Sequence, residues 1–116
     1  MRILCVCNGG NCRSVALAEV LKGIYGHEAT AIGTYWFSHD SQRALAEWAE
    51  AIYFVEEFDA KLPEPDKTKW MSSPLWGKEY DDKRRLIPIG PDVWGHSNWD
   101  AIKKAANEAL KSVPIL

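Results

Sequence analysis

Residues 7–14 read Cys-Asn-Gly-Gly-Asn-Cys-Arg-Ser, a thiol and a guanidinium five residues apart around a glycine-bearing loop. A short apolar run ends at Cys7, and an amphipathic stretch begins at Ser14. A loop that leaves a strand and enters a helix turns several backbone N–H groups inward, where the helix dipole adds positive potential. Gly9 and Gly10 permit the restricted backbone angles that a tight anion nest demands. Arg13 contributes a planar fork of donors matching two phosphate oxygens at once. Cys7 would then sit in a positive field that favours the thiolate, with the Ser14 hydroxyl in place to hydrogen-bond it. Cys7 is therefore the expected nucleophile, and Asn8, Gly9, Gly10, Asn11, Cys12, Arg13 and Ser14 are the expected phosphate-binding residues. The Cys-x5-Arg spacing alone arises readily by chance. Its placement sets it apart, with a strand before it, glycines inside it, and a hydroxyl residue and a helix after it.

All three cysteines, Cys5, Cys7 and Cys12, fall within the first twelve residues. An odd number crowded at one end cannot staple a domain, so a disulfide framework is rejected. A zinc site is disfavoured too, because no second cluster supplies the remaining ligands and the three histidines are scattered. No metal and no cofactor are expected.

Positioning such a loop requires a particular kind of fold. Residues 3–7 form a continuous apolar run, the pattern of a strand buried on both faces. From Ser14, Leu17, Leu21 and Ile24 recur at helical spacing, with Gly26 as a stop. A second strand is expected at 29–33, a helix at 41–50 with Leu45, Trp48 and Ala49 on one side, and a third strand at 51–55. A short helical turn at 56–62 follows, then a stretch from 63 to 84 in which prolines, tryptophans and charges show no period. A fourth strand is expected at 86–89, and Pro88 favours a sheet edge for it. A helix from about Ser97 carries Ile102, Ala106, Ala109 and Val113 as its apolar stripe. Strands alternating with helices imply a parallel sheet covered on both faces, with ligands at the carboxyl ends of the strands. The loops at 8–13, 34–40 and 90–96 should share that end.

The motif and its surroundings resemble the low-molecular-weight protein tyrosine phosphatase family, as a short and divergent member. Cys-x5-Arg-Ser near the N-terminus carries the likeness, and residues 31–34, Ala-Ile-Gly-Thr, are similar to the family's Ser-Ala-Gly-Thr segment. The helix and strand through 51–55 keep the family's order, while 63–84 matches no part of it. The architecture expected is a three-layer α/β sandwich, one domain over 1–116. Its four-stranded parallel sheet has the order 2-1-3-4, with helices on both faces and the phosphate loop after the first strand. The resemblance implies a general acid on a late loop, and Asp92 in Ile89-Gly90-Pro91-Asp92 is the matching aspartate. Asp92 also follows the fourth strand's carboxyl end, where it should overhang the Cys7 loop. Asp40 stays a competitor on the same side, whereas Asp66, Asp81 and Asp82 approach from the other. The family carries a cysteine where Cys12 stands, able to form a reversible disulfide with the nucleophile; a merely packed thiol is the alternative. Cys5 reads as core. Trp36 and Trp94 lie on loops expected to rim the pocket, as an aromatic wall or as ordinary buried rings. Tyr35 is a lesser candidate for that wall, and His39 and His96 read as loop residues rather than catalysts.

The chain departs from the family in three respects. Gly10 stands where an asparagine is usual, with Asn11 after it. Pro91 precedes the acid instead of following it, and Val93-Trp94 replaces the usual tyrosines. The chain is also short.

The resemblance and the residues together imply phosphomonoester hydrolysis through a cysteinyl-phosphate, with a phosphorylated protein or a small phosphate ester as partner. Inorganic phosphate, sulfate or vanadate would be ligands of the same loop. Three rivals remain. One is an arsenate reductase of the same fold, disfavoured because no cysteine follows Cys12. Another is a phosphocarrier with a phosphorylated cysteine, and the third a non-catalytic binder of phosphoproteins. The net charge of −2 gives no sign of a nucleic-acid partner, because backbone binding shows as a basic excess. Lys83-Arg84-Arg85 lies beside Asp81 and Asp82 and reads as a solvated turn. With 47% hydrophobic residues but no long apolar stretch, no membrane partner is expected, and a cytoplasmic location is.

Overall fold

In the computed structural model, residues 1–7, 13–55, 66–89 and 99–113 are described. They form an α/β fold around a four-stranded, all-parallel sheet of order β2-β1-β3-β4, the expected order. The strands are β1 (Arg2–Cys7), β2 (Glu28–Gly33), β3 (Ala51–Phe54) and β4 (Arg84–Leu86). The central position of β1 follows from its composition. Ile3, Leu4, Cys5 and Val6 are fully buried, because β1 has a strand on either side and a layer on each face.

Alternation along β1 and β3 divides the core into two halves. Ile3, Cys5, Cys7, Ala51, Tyr53 and Val55 face one layer, made by α1 (Arg13–Gly23) and α4 (Trp99–Lys111). Leu17, Leu21, Ala106 and Leu110 fill the space between these helices and the sheet. Leu4, Val6, Ile52 and Phe54 face the other layer, made by α2 (His39–Trp48) and the 66–80 segment.

Several boundaries differ from expectation. Ile24 lies beyond the end of α1 and is 63% exposed, so it leaves the apolar stripe. There the chain turns at Gly26, whose φ of +72° is left-handed, and the His27 N–H returns to the Leu21 carbonyl at 3.0 Å. The second helix starts at His39, two residues early, because Ser38 caps it by accepting from the Ser41 N–H at 3.1 Å. Its buried side chains are Gln42 and Ala46, whereas Leu45 and Trp48 are only partly covered.

The fourth strand is displaced toward the N-terminus, covering Arg84–Leu86 in place of 86–89. The Ile87 N–H still donates to the Phe54 carbonyl at 2.7 Å, but the next donor on that side, the Ile89 N–H, turns back to the Ile87 carbonyl at 2.9 Å, which ends the ladder there. The strand does lie at the sheet edge.

The unperiodic stretch before β4 contains α3 (Asp66–Met71) and two 3-10 turns, Pro74–Trp76 and Lys78–Tyr80. Aromatic packing orders it. Phe54 stacks on Trp76 with ring centroids 4.4 Å apart, and both meet Trp70 edge-on at 5.7 and 5.4 Å. Trp70 and Leu75 are fully buried against the sheet. The segment thus serves as part of the second helical layer. The expected turn at 56–62 lies outside the described residues. Among the described residues, no helix is long and apolar enough to cross a membrane.

Candidate active site

All four strands run parallel, so their carboxyl ends share one edge. The register aligns Cys7 with Gly33 and Val6 with Phe54, and Phe54 in turn with Leu86. Cys7 therefore ends the central strand at the point where 34–38 and the residues after β3 and β4 leave the sheet.

The thiol meets the start of α1 directly. Cys7 Sγ lies 3.0 Å from Ser14 Oγ, and both groups are buried. This contact brings together the two ends of the Cys-x5-Arg-Ser segment. Arg13, the first residue of α1, is only 5% exposed, which places a cation inside the protein at the strand's end. Buried guanidinium groups are uncommon and signal an anionic or strongly accepting environment. The first turn of α1 carries no acidic residue, so nothing there offsets the helix's positive end.

The neighbouring strand adds a further brace. The Thr34 N–H donates to the Cys7 carbonyl at 3.1 Å, and Thr34 is itself buried. A turn follows in which the Trp36 N–H reaches the Gly33 carbonyl at 3.3 Å. Trp36 is 71% exposed, and its ring meets Tyr35 edge-on at 4.6 Å. It is therefore displayed beyond the strand that pairs with Cys7 and is no part of the core.

Cys5 shares a sheet face with Cys7 but has a different environment. Full burial pushes the Cys5 thiol far above the ordinary thiol range; the nearby Cys7 adds to the rise and Lys22 opposes it. Cys5 is thus a neutral core thiol. Asp40 stands on the first turn of α2 with its side chain 99% exposed and paired to Arg43 at 3.3 Å. Asp81 and Asp82 precede the amino end of β4, at the opposite edge of the sheet. Arg84 pairs with Asp81 and also donates to the Leu75 and Gly77 carbonyls, so the basic run is tied into the fold. His39 is exposed. Asn8, Gly9, Gly10, Asn11, Cys12, Asp92 and Trp94 lie outside the described residues.

Two residues of the site's surroundings escaped the sequence reading. Gln42 and Ser73 are buried and hydrogen-bonded to one another behind the 34–38 turn. The available signal was Gln42 itself, a polar residue one helical turn before Ala46 on the face that α2 buries. Among the described residues, no three His, Cys, Asp or Glu side chains form a group able to hold a metal ion. In comparisons with known proteins, no family model, no curated protein and no solved structure matches this chain.

Proposed function

We propose that this chain is a cysteine-dependent phosphatase resembling the low-molecular-weight protein tyrosine phosphatases, hydrolysing phosphomonoesters with protein phosphotyrosine as the favoured class. The reading rests chiefly on the buried contact between Cys7 Sγ and Ser14 Oγ, 3.0 Å long, beside buried Arg13 at the start of a helix. That arrangement suits a thiolate facing an anion at the carboxyl edge of a parallel sheet.

In this mechanism the Cys7 thiolate attacks phosphorus, forming an S–P bond as the P–O bond to the leaving group breaks. Arg13 and the amides of 8–14 hold the non-bridging oxygens through the transition state. Asp92 gives its proton to the departing oxygen. Water then attacks the cysteinyl-phosphate, Asp92 accepts its proton, and the thiolate and inorganic phosphate are released. Ser14 donates a hydrogen bond to sulfur when it leaves as an anion. The proposed location is the cytoplasm, where a reducing environment keeps Cys7 free.

The test is hydrolysis of p-nitrophenyl phosphate across pH, in the presence of chelator, by wild type, Cys7→Ser and Asp92→Asn. The expected result is turnover that Cys7→Ser abolishes and Asp92→Asn lowers by about 100-fold or more. Phosphate or vanadate binding without any turnover would replace this reading with a non-catalytic phosphate-binding module.

A further inference from the structure

Gln42 and Ser73 are polar residues inside the layer on the sheet's second face, 1% and 4% exposed. Ser73 caps the 3-10 turn Pro74–Trp76, its Oγ accepting from the Leu75 N–H at 3.2 Å. Its own hydrogen is thereby directed to Gln42 Oε1, 2.5 Å away. On the far side of the amide, Gln42 Nε2 donates to the Phe37 carbonyl at 2.9 Å and reaches the Thr34 carbonyl at 3.5 Å. The reverse orientation would set Oε1 against two carbonyl oxygens, so the network itself determines which way the amide points.

An apolar side chain would fill this space without the desolvation that a buried amide carries. What the amide adds is a fixed backbone. It grips the turn at both ends, while the Thr34 N–H holds the Cys7 carbonyl at 3.1 Å. Trp36 lies between the two gripped carbonyls and is 71% exposed, so its backbone sets its location more than core packing does. We infer that Gln42 and Ser73 are positioning residues that hold the 34–37 turn so that Trp36 stands beside the anion site and favours substrates with an aryl group next to phosphate. The inference rests on the proposed phosphate site and adds to it a determinant of substrate class.

Calorimetric binding of phenylphosphonate and methylphosphonate to the full chain tests this without depending on turnover. Wild type should prefer the phenyl ligand. Ser73→Ala, Gln42→Met and Trp36→Ala should each reduce that preference by about three- to tenfold while methylphosphonate binding stays within about twofold. Ser73→Thr, which keeps the hydroxyl, should restore it. Circular dichroism confirms that each compared variant is folded, and Gln42→Met provides the comparison should Ser73→Ala fail to fold. An unchanged preference in folded Ser73→Ala and Gln42→Met, or equal loss of both ligands, would overturn the positioning role alone. A wild type that binds both ligands without preference would do the same. A wild type that binds neither would overturn the phosphate site and the inference with it.

Discussion

The Cys7 thiol and the Ser14 hydroxyl lie 3.0 Å apart in the interior, one at the end of β1 and the other in the first turn of α1. The hydroxyl hydrogen can stabilise negative charge on sulfur both before attack and when sulfur departs from phosphorus. Ser14→Ala should lower kcat for an aryl phosphate by about 10- to 100-fold, in the range of a charge-assisted hydrogen bond. Competitive inhibition by phosphate should change by less than about threefold, because Arg13 and the amides remain. Steady-state kinetics with phosphate as inhibitor separates the two effects, and an unchanged kcat would remove Ser14 from the mechanism.

Cys5 gives the protein a dependence on alkaline pH. Its folded pKa is raised, so the folded state holds the proton more tightly than the unfolded chain does. The stabilisation is complete below the unfolded thiol's pKa of about 8.5 and is lost as pH rises beyond it. Urea unfolding between about pH 9 and 10.5 should show wild type losing stability faster than Cys5→Ala, by up to about 1.4 kcal/mol per pH unit for one proton. Parallel curves would mean that Cys5 ionises in the native state.

Trp36 separates function from stability. At 71% exposure its removal should change unfolding free energy by no more than about 0.5 kcal/mol. The KM for p-nitrophenyl phosphate should nevertheless rise several-fold in Trp36→Ala. Chemical denaturation and kinetics on the same preparation check both halves.

Trp70 should behave in the opposite way. It is fully buried and meets Phe54 and Trp76 edge-on. Trp70→Ala should destabilise by about 3–5 kcal/mol, as large aromatic truncations in cores do. A loss below about 1 kcal/mol in urea unfolding would show that the 66–80 layer contributes little to the core.

The sequence made some parts of this fold legible and hid others, for physical reasons. β1 was readable because burial on both faces leaves an uninterrupted apolar run, and α4 because its stripe follows the helical period. The 66–80 layer was not, because ring contacts hold it and side-chain periodicity does not. β4 was read too late because Lys83 and Arg84 look like a solvated turn. In the fold, Lys83 Nζ donates to the Ala46 carbonyl, and Arg84 to those of Leu75 and Gly77. Backbone acceptors of this kind leave no mark in local sequence. Gln42 was missed because Ser73, which accounts for its burial, lies 31 residues away. Cys7, Arg13 and Ser14 were legible because a loop that joins a strand to a helix needs no distant partner to define its ends.

The most direct test of the proposed nucleophile is to trap it. Wild-type protein turning over p-nitrophenyl phosphate would be denatured rapidly in detergent at mildly alkaline pH within the first turnovers, digested at that pH, and mapped by mass spectrometry for S-phosphocysteine, whose P–S bond is labile in acid. The expected result is a phosphoryl group on the peptide containing Cys7, absent from Cys7→Ser. Turnover with the phosphoryl group on another residue, or undiminished turnover in Cys7→Ser, would contradict the assignment of Cys7 as nucleophile.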